Sequence, residues 1–340
     1  MRMNFWAVRR RGTRALARVL GVIVIFLPVF LFAPFANAAT NVSFEQWLKD
    51  FRTEAAASGI RPEVLNDALT GITAIPRVIE LDRRQPEFTL TFEQYLTRVV
   101  PDSRVKKGRK RLEANRALLK EVGARYGVQP KYIVAFWGIE TDFGRITGGF
   151  KLVPALATLA YDGRRSAYFR KELLNALKIL NQGHIKARDM VGSWAGAMGQ
   201  CQFMPSSFLN FAVDHNGDGR KDIWTTKADV FASAANYLSR SGWKGDQTWG
   251  RAVTLPDGFN TDLAALKVRK PITEWQKLGV RRGNGGDLPK RDLMASVVFV
   301  SGPGSPAYMV YDNFRAIMKW NRSTYFAVAV GTLAEKIGGQ

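Results

Sequence analysis

A single acid inside an apolar helix constrains this chain more than any other feature. Pro130 suits the first turn of a helix, the run Tyr132-Ile133-Val134-Ala135-Phe136-Trp137 that follows is apolar, and Gly144 can end it. At helical spacing Ile133, Phe136, Trp137 and Glu140 share one face, so a carboxyl group lies on the stripe that turns inward. Loss of water disfavours the ionised form, which raises the pKa and keeps such a group protonated near neutrality. A protonated carboxyl in an apolar cleft is equipped to act as a general acid. The same residue also reads as a buried Glu that satisfies a backbone group and does no chemistry.

The amino terminus is set apart from the fold. Arg2, Arg9, Arg10, Arg11, Arg14 and Arg18 precede an uncharged apolar run from Val19 to about Phe35, and Ala36-Asn37-Ala38 then offers a small-x-small cleavage site. This reads as a secretory signal over residues 1–38 with a mature start at Ala39. A retained anchor is the alternative, against which Pro28 and Pro34 break the run. Cys201 is the only cysteine, so no internal disulfide forms. About 300 residues remain, enough for a large core. Without those six arginines the formal charge is still +15 of the original +21. Such a surface seeks anions, and export directs it to wall polymer carboxylates or anionic lipid head groups rather than to nucleic acid.

From Phe44 to about Tyr126 the pattern is helical, with Pro62, Pro76, Pro86 and Pro101 dividing it into short helices. Helical periodicity continues through Glu140, Tyr168 to Leu180, and Asp229 to Leu238. Between Thr248 and Val300 the texture changes. Trp249, Arg251, Val253 and Leu255 alternate, and Leu293 to Val300 is a β-branched apolar run, which predicts a small sheet-containing insert. Helix signals return after Asp312, and Ser323-Thr324 can cap a last helix running to about Ile337.

Two further stretches carry chemistry. Gly192-Ser193-Trp194-Ala195-Gly196-Ala197-Met198-Gly199-Gln200-Cys201-Gln202-Phe203 combines small residues, which let backbone approach a ligand, with the neutral hydrogen-bonding groups of Ser193, Gln200 and Gln202 that suit a sugar. Trp194 and Phe203 offer faces for pyranose rings or fill the core. Cys201 reads as a small buried filler, since neither His184 nor His215 is placed by sequence to activate it. Asp214-His215-Asn216-Gly217-Asp218-Gly219-Arg220-Lys221-Asp222 has oxygen side chains at loop positions one, three, five and nine and glycine at six, the opening of an EF-hand calcium loop in which Arg220 would ligate through its carbonyl. Position twelve is Thr225 rather than Glu, and Asp229 is the candidate for the missing carboxylate. A metal-free Asx-rich turn is the plainer alternative.

Ile139-Glu140-Thr141-x-Phe143-Gly144, the stretch from Gly192 to Gln200, Gln202-Phe203-Met204-Pro205-Ser206-Ser207, the Asp214 loop and Ala235-Asn236-Tyr237, taken in order, resemble the B-type lytic murein transglycosylases. The resemblance spans from about Phe44 to the last helix. It implies a mainly α (α+β) fold: a lysozyme-like helical core, a further α domain and a small β-containing insert. The implied division is a signal peptide at 1–38, an N-terminal α region at 39–126 and a catalytic core with the EF-hand-like loop at 127–247. The β-containing insert then covers 248–310, and C-terminal helices at 311–340 complete the core. By the same resemblance the acid/base glutamate is Glu140, and substrate contacts fall on Ser193, Gln202, Tyr237, Asn321, Tyr95 and Trp320. Trp320 and Phe326 stand where the family leads one to expect tyrosine, so ring stacking persists while hydroxyl contacts are lost. Asp214, Asn216, Asp218, Arg220 and Asp229 would hold a structural calcium ion in a loop one residue longer than the family's.

Most glycosidases use two carboxylates. Here Asp142 points to another side of the helix and Asp162 sits in a loop, so Glu140 stands alone. The resemblance implies that the substrate completes the reaction. Glu140 protonates the leaving oxygen of the bond after N-acetylmuramic acid, the sugar's N-acetyl group supports the anomeric carbon, and its C6 hydroxyl closes a 1,6-anhydro ring. The expectations that follow are a periplasmic monomer of a Gram-negative bacterium, peptidoglycan strands as partner, association with a membrane or wall-synthesis complex, and no organic cofactor. An inactive wall-binding scaffold is the rival reading.

Overall fold

Proline marks where the helices of the first third begin. Pro62 and Pro76 occupy the first turns of Pro62–Leu69 and Pro76–Arg83, and Pro101 is the N-cap of Asp102–Ala114. At N1 the missing N–H costs nothing and the fixed φ is already helical. Thr91 caps Phe92–Val99 in a capping box with Gln94, each side chain bonding the other's backbone N–H. The computed structural model describes residues 42–84 and 90–339. The expected signal at 1–38 and the breaker Pro86 lie outside the described residues. Asn115 ends Asp102–Ala114 and begins Arg116–Tyr126, so Leu112 and Val122 lie on two successive helices.

The apolar run gives the helix Pro130–Thr141, whose residues Tyr132 to Gly138 are all buried. It is enclosed by Asp102–Ala114, Arg116–Tyr126, Lys227–Arg240 and the last helix, Thr324–Gly338. Ser323 caps that last helix by accepting from the Phe326 N–H. At its far end Glu335 accepts from Tyr132 Oη at 2.8 Å and pairs with Lys131 at 2.8 Å, tying the C-terminal helix to the start of the Glu140 helix. Leu152–Tyr161 and Ser166–Asn181 pack side by side behind them.

The texture change after Thr248 corresponds to a five-stranded antiparallel sheet, in the order Lys270–Pro271, Met294–Phe299, Ala307–Val310, Gly250–Thr254, Arg281–Arg282. It carries its own small core around Trp275, Val297 and Met309. Asp312–Trp320 then returns the chain to the helical body. The whole is a helix-rich α+β fold, and no helix among the described residues is long and apolar enough to cross a membrane.

Candidate active site

Glu140 lies in the last turn of Pro130–Thr141, one turn beyond Phe136 and Trp137. The helix ends at Thr141, three residues before Gly144, and Asp142, Phe143 and Gly144 follow in the left-handed region with φ of 49°, 62° and 82°. Asp142 and Phe143 are strained there, since only glycine visits this region freely. Contacts on both sides hold them. Asp142 is gripped by Lys107 at 2.8 Å and Arg145 at 2.7 Å, and the Phe143 ring lies where a Cβ on Gly138 would come within 2.7 Å of it. At Gly144 a Cβ would fall 2.2 Å from Gln200 Oε1, so glycine is required there twice over.

Aromatic rings surround the carboxyl. Trp320, at the end of Asp312–Trp320, packs on Phe136, Tyr237 and Phe203 with ring centroids at 4.5, 4.7 and 5.2 Å, and its indole Nε1 donates to Glu140 Oε1 at 2.8 Å. A cavity of about 10 Å³, room for about one water, opens between Glu140, Trp137, Cys201, Phe231 and Trp320. Burial pushes the Glu140 carboxyl up to about 7, and the Trp320 hydrogen bond draws it part of the way back. Asp142 shows the opposite balance: burial raises it, but Lys107 and Arg145 outweigh burial and hold it below its ordinary value.

Of the residues singled out by sequence, the structure gathers Glu140, Trp320 and Tyr237. Tyr95 joins them electrically: burial first, and then the charge of Glu140, raise its phenol, against the pull of Arg104. Tyr237 Oη donates to Lys319 O at 2.7 Å, so its hydroxyl ties down the last turn of the helix that carries Trp320. Ser193 accepts from the Ala197 N–H at 3.0 Å, and Gln202, itself at φ 49°, donates to Thr147 O at 3.1 Å and Gly199 O at 3.0 Å. These two shape the 192–203 loop and, through Thr147, tie it to the segment after the Glu140 helix. The Asn321 side chain accepts from the Ser323 N–H at 3.0 Å and makes no described bond to Glu140.

Gln200 plays a different part from the sugar contact read for it. Its Oε1 accepts from Trp137 Nε1 at 2.8 Å, its Nε2 donates to Trp224 O at 2.7 Å, and its carbonyl accepts from Thr141 Oγ1 at 3.1 Å. It is a strut that ties the Glu140 helix to the Trp224 segment. Cys201 is buried, donates to Val230 O at 3.3 Å, and is pushed well above its ordinary range by burial and by the Glu140 charge, which fits an inert filler.

The Asp214 loop forms a separate centre. Asp214 Oδ1 accepts from Gly217 N at 2.8 Å and Oδ2 from Gly219 N at 2.8 Å, Asp218 Oδ1 accepts from Arg220 N at 2.9 Å, and Asn216 Nδ2 donates to Asp218 Oδ2 at 3.0 Å. Asp229, at the start of the next helix, is buried and accepts from His215 N at 2.8 Å and Asp222 N at 2.7 Å. Burial raises its carboxyl despite those bonds, and Asp214 adds to the rise through its own charge. A buried carboxyl whose ionisation the Asp214 charge opposes, with amide and carbonyl oxygens nearby, fits a hard divalent cation in donor chemistry. Even so, among the described residues no three His, Cys, Asp or Glu side chains converge closely enough to enclose an ion as they stand. Asp222, the ninth-position oxygen, turns to Thr225 and Thr226 instead.

Against known proteins, residues 43–335 match the family described as Transglycosylase SLT domain. The chain is 36% identical over 219 residues to membrane-bound lytic murein transglycosylase B of Escherichia coli K12, covering 62% of this chain and 58% of that protein, so it spans less than two thirds of the relative's length. Its fold matches the crystal structure of SltB3 from Pseudomonas aeruginosa in complex with NAG-anhNAM-pentapeptide, with TM-score 0.85, 46% identity, and 87% and 80% of the two chains covered. It also matches the Escherichia coli lytic transglycosylase Slt35 in complex with calcium, with TM-score 0.73, 27% identity, and 86% and 92% covered. These agree with the expected helix-rich α+β class, and with a match that runs over most of its length the chain belongs to the Transglycosylase SLT domain family.

Proposed function

We propose that this protein cleaves the β-1,4 bond between N-acetylmuramic acid and N-acetylglucosamine in peptidoglycan without water, leaving a 1,6-anhydro end. The observation that carries this reading is a carboxyl set among aromatic rings that takes one indole N–H, with burial raising its pKa to about 7 and, among the described residues, no acid paired with it. Asp142 is committed to Lys107 and Arg145, and Asp162 to Arg83, which leaves neither as the nucleophile a two-carboxylate mechanism needs. A group poised near ambient pH can serve as acid and then as base. Protonated Glu140 gives its proton to the glycosidic oxygen as the C1–O bond breaks. The C6 hydroxyl oxygen of the same sugar then bonds to C1 and returns a proton to Glu140. The sugar's N-acetyl group supports the anomeric carbon in between, in the place of a protein nucleophile.

The relative solved with a NAG-anhNAM-pentapeptide supports this product class, and the one solved with NAG-NAM-pentapeptide supports a peptide-bearing glycan strand as substrate. Tyr237, Tyr95, Trp320, Ser193, Gln202 and Asn321 are the cleft residues we assign to the sugar, the last three through loop shape as much as contact. We assign calcium to the Asp214 loop, with Asn216, Asp218, the Arg220 carbonyl and Asp229 as partners, on its oxygen chemistry and on the calcium-bound relative. We assign the periplasm as the place of action, on the murein named as the substrate of the Escherichia coli relative. Mass spectrometry of digested peptidoglycan tests the reaction: anhydromuropeptides are the expected products. Reducing-end muropeptides alone would make the enzyme a hydrolase, and no products at all would leave the wall-binding scaffold.

A further inference from the structure

The only side chain that reaches the Glu140 carboxyl by a described hydrogen bond comes from a position 180 residues away. Its geometry is asymmetric. The Trp320 N–H meets Oε1, and Oε2 has no described partner. The indole packs on Phe136, Phe203 and Tyr237, and the helix turn that carries it is fixed by the Tyr237 hydroxyl on the Lys319 carbonyl. The Lys319 ammonium in turn donates to Ser241 O at 2.9 Å. A ring so braced has little freedom to swing away, and its N–H has no acceptor capacity with which to compete for a proton.

We propose that Trp320 is a positioning residue that divides the labour between the two oxygens of Glu140: its N–H occupies Oε1, so Oε2 alone carries the proton to the leaving group and receives the one from the attacking hydroxyl. In the protonated state Oε1 is the carbonyl-like oxygen and accepts from the indole, which places the acidic hydrogen on Oε2. After transfer the same N–H faces the new negative charge and steadies it, without moving. One donor thus serves both half-reactions, and no proton need migrate between the two oxygens. The raised carboxyl, drawn partly down by this bond, is consistent with that role. This inference rests on Glu140 being the acid and base of the proposed reaction.

Groups from every neighbouring element bear on the pH behaviour. Tyr95, on the helix Phe92–Val99, and Cys201, on the 197–203 loop, feel the Glu140 charge, Arg104 acts on Tyr95, and Tyr237, on Lys227–Arg240, packs against Trp320. Lys107 is tied to Asp142, Lys319 to Ser241 O, and Glu335 to the opposite end of the helix. Tyr95, Tyr237 and Cys201 are all held above their ordinary values and Asp142 below, so Glu140 is the group left to change charge near neutrality.

The test is Trp320→Phe, which keeps a ring and removes the N–H, assayed on purified peptidoglycan across pH beside Glu140→Gln. The expected result is a kcat lower by about tenfold, a KM within about threefold of wild type, and a basic limb of the kcat/KM profile displaced upward by about one pH unit, because the charged form has lost its donor. Trp320→Tyr, which offers a donor again, is expected to recover part of the displacement. An unmoved limb with unchanged kcat, or a rise in KM alone, would reduce Trp320 to a sugar platform and overturn the inference. If Glu140→Gln remains active, the acid assignment itself fails, and that outcome is separate. Should Trp320→Phe not fold, the wild-type chain still answers. The indole N–H resonance of Trp320 is expected to move with pH through the Glu140 titration and to stand still in Glu140→Gln, and a pH-indifferent resonance overturns the proposal.

Discussion

Two carboxylates two residues apart have opposite fates. Glu140 faces aromatic rings and receives one neutral donor, while Asp142, just past the helix end, receives an ammonium and a guanidinium. Both lose water, and burial is the leading influence on each. What separates them is compensation. One indole N–H does not repay the desolvation of a charge, and two cations more than do. The fold thus holds one carboxyl near neutral pKa and turns its neighbour into a brace for the strained turn at the helix end.

Replacing each acid by its amide breaks the comparison most sharply. Glu140→Gln is expected to lower peptidoglycan cleavage at least about 100-fold, the typical scale of lost acid/base help, while Asp142→Asn stays within about tenfold of wild type. Stability moves the other way. The Glu140 pKa is raised from 4.5 to about 7 on folding, so the unfolded chain ionises first. The folded state is therefore penalised as pH rises from about 4.5 and carries the full penalty above about 7, up to about 3 kcal/mol. Glu140→Gln removes that penalty, and urea melts should find its advantage over wild type at pH 8 and little of it at pH 4.5. An equal advantage at both values would mean that folding leaves the pKa of this carboxyl unshifted.

Much of this contrast was legible in the chain. The inward position of Glu140 followed from its spacing to Ile133, Phe136 and Trp137, because helix periodicity is a local property. The β-containing segment and the last helix were legible for the same reason. The αL run at Asp142–Gly144 was not, because two of its three residues are not glycine and the contacts that stabilise it come from Lys107 and Gln200, distant in sequence. Trp320 was visible only as an aromatic where the resemblance leads one to expect tyrosine. That it donates to Glu140 depends on how Asp312–Trp320 crosses the cleft, which no local pattern encodes. Gln200 looked like a sugar ligand because amides suit sugars, and the burial of Trp137 Nε1 claimed it first.

Asp229 extends the comparison to a third environment, a buried carboxyl opposed by Asp214 and relieved by no cationic side chain. If the loop takes calcium, the ion supplies what Lys107 and Arg145 supply to Asp142. Calcium at about a hundred times its Kd should then stabilise the wild-type chain by about 2.7 kcal/mol, and Asp218→Ala should lower the melting temperature in calcium but not in chelator. A loss of equal size in both would leave a metal-free turn.

The Asp142 brace itself is the smallest effect and the most informative about compensation. Asp142→Asn keeps a residue that tolerates the left-handed region, so its cost, about 1 kcal/mol, reports the lost ion pairs rather than new backbone strain. The folded pKa of Asp142 is lowered, so this contribution is present above the unfolded carboxylate value and fades as pH falls through the folded one. Arg145 is 65% exposed and Lys107 39%, while the Asp142 side chain is only 13% exposed. Arg145→Met alone should therefore cost less than about 0.5 kcal/mol, since Lys107 still answers the charge. Removing both cations leaves a largely buried carboxylate without a partner, so the double variant Lys107→Met with Arg145→Met should lose more than the sum of the two single changes. Urea melts of the four chains measure the excess. Strict additivity would mean that Asp142 is solvated well enough to need neither cation, and the contrast with Glu140 would then rest on the aromatic cleft alone.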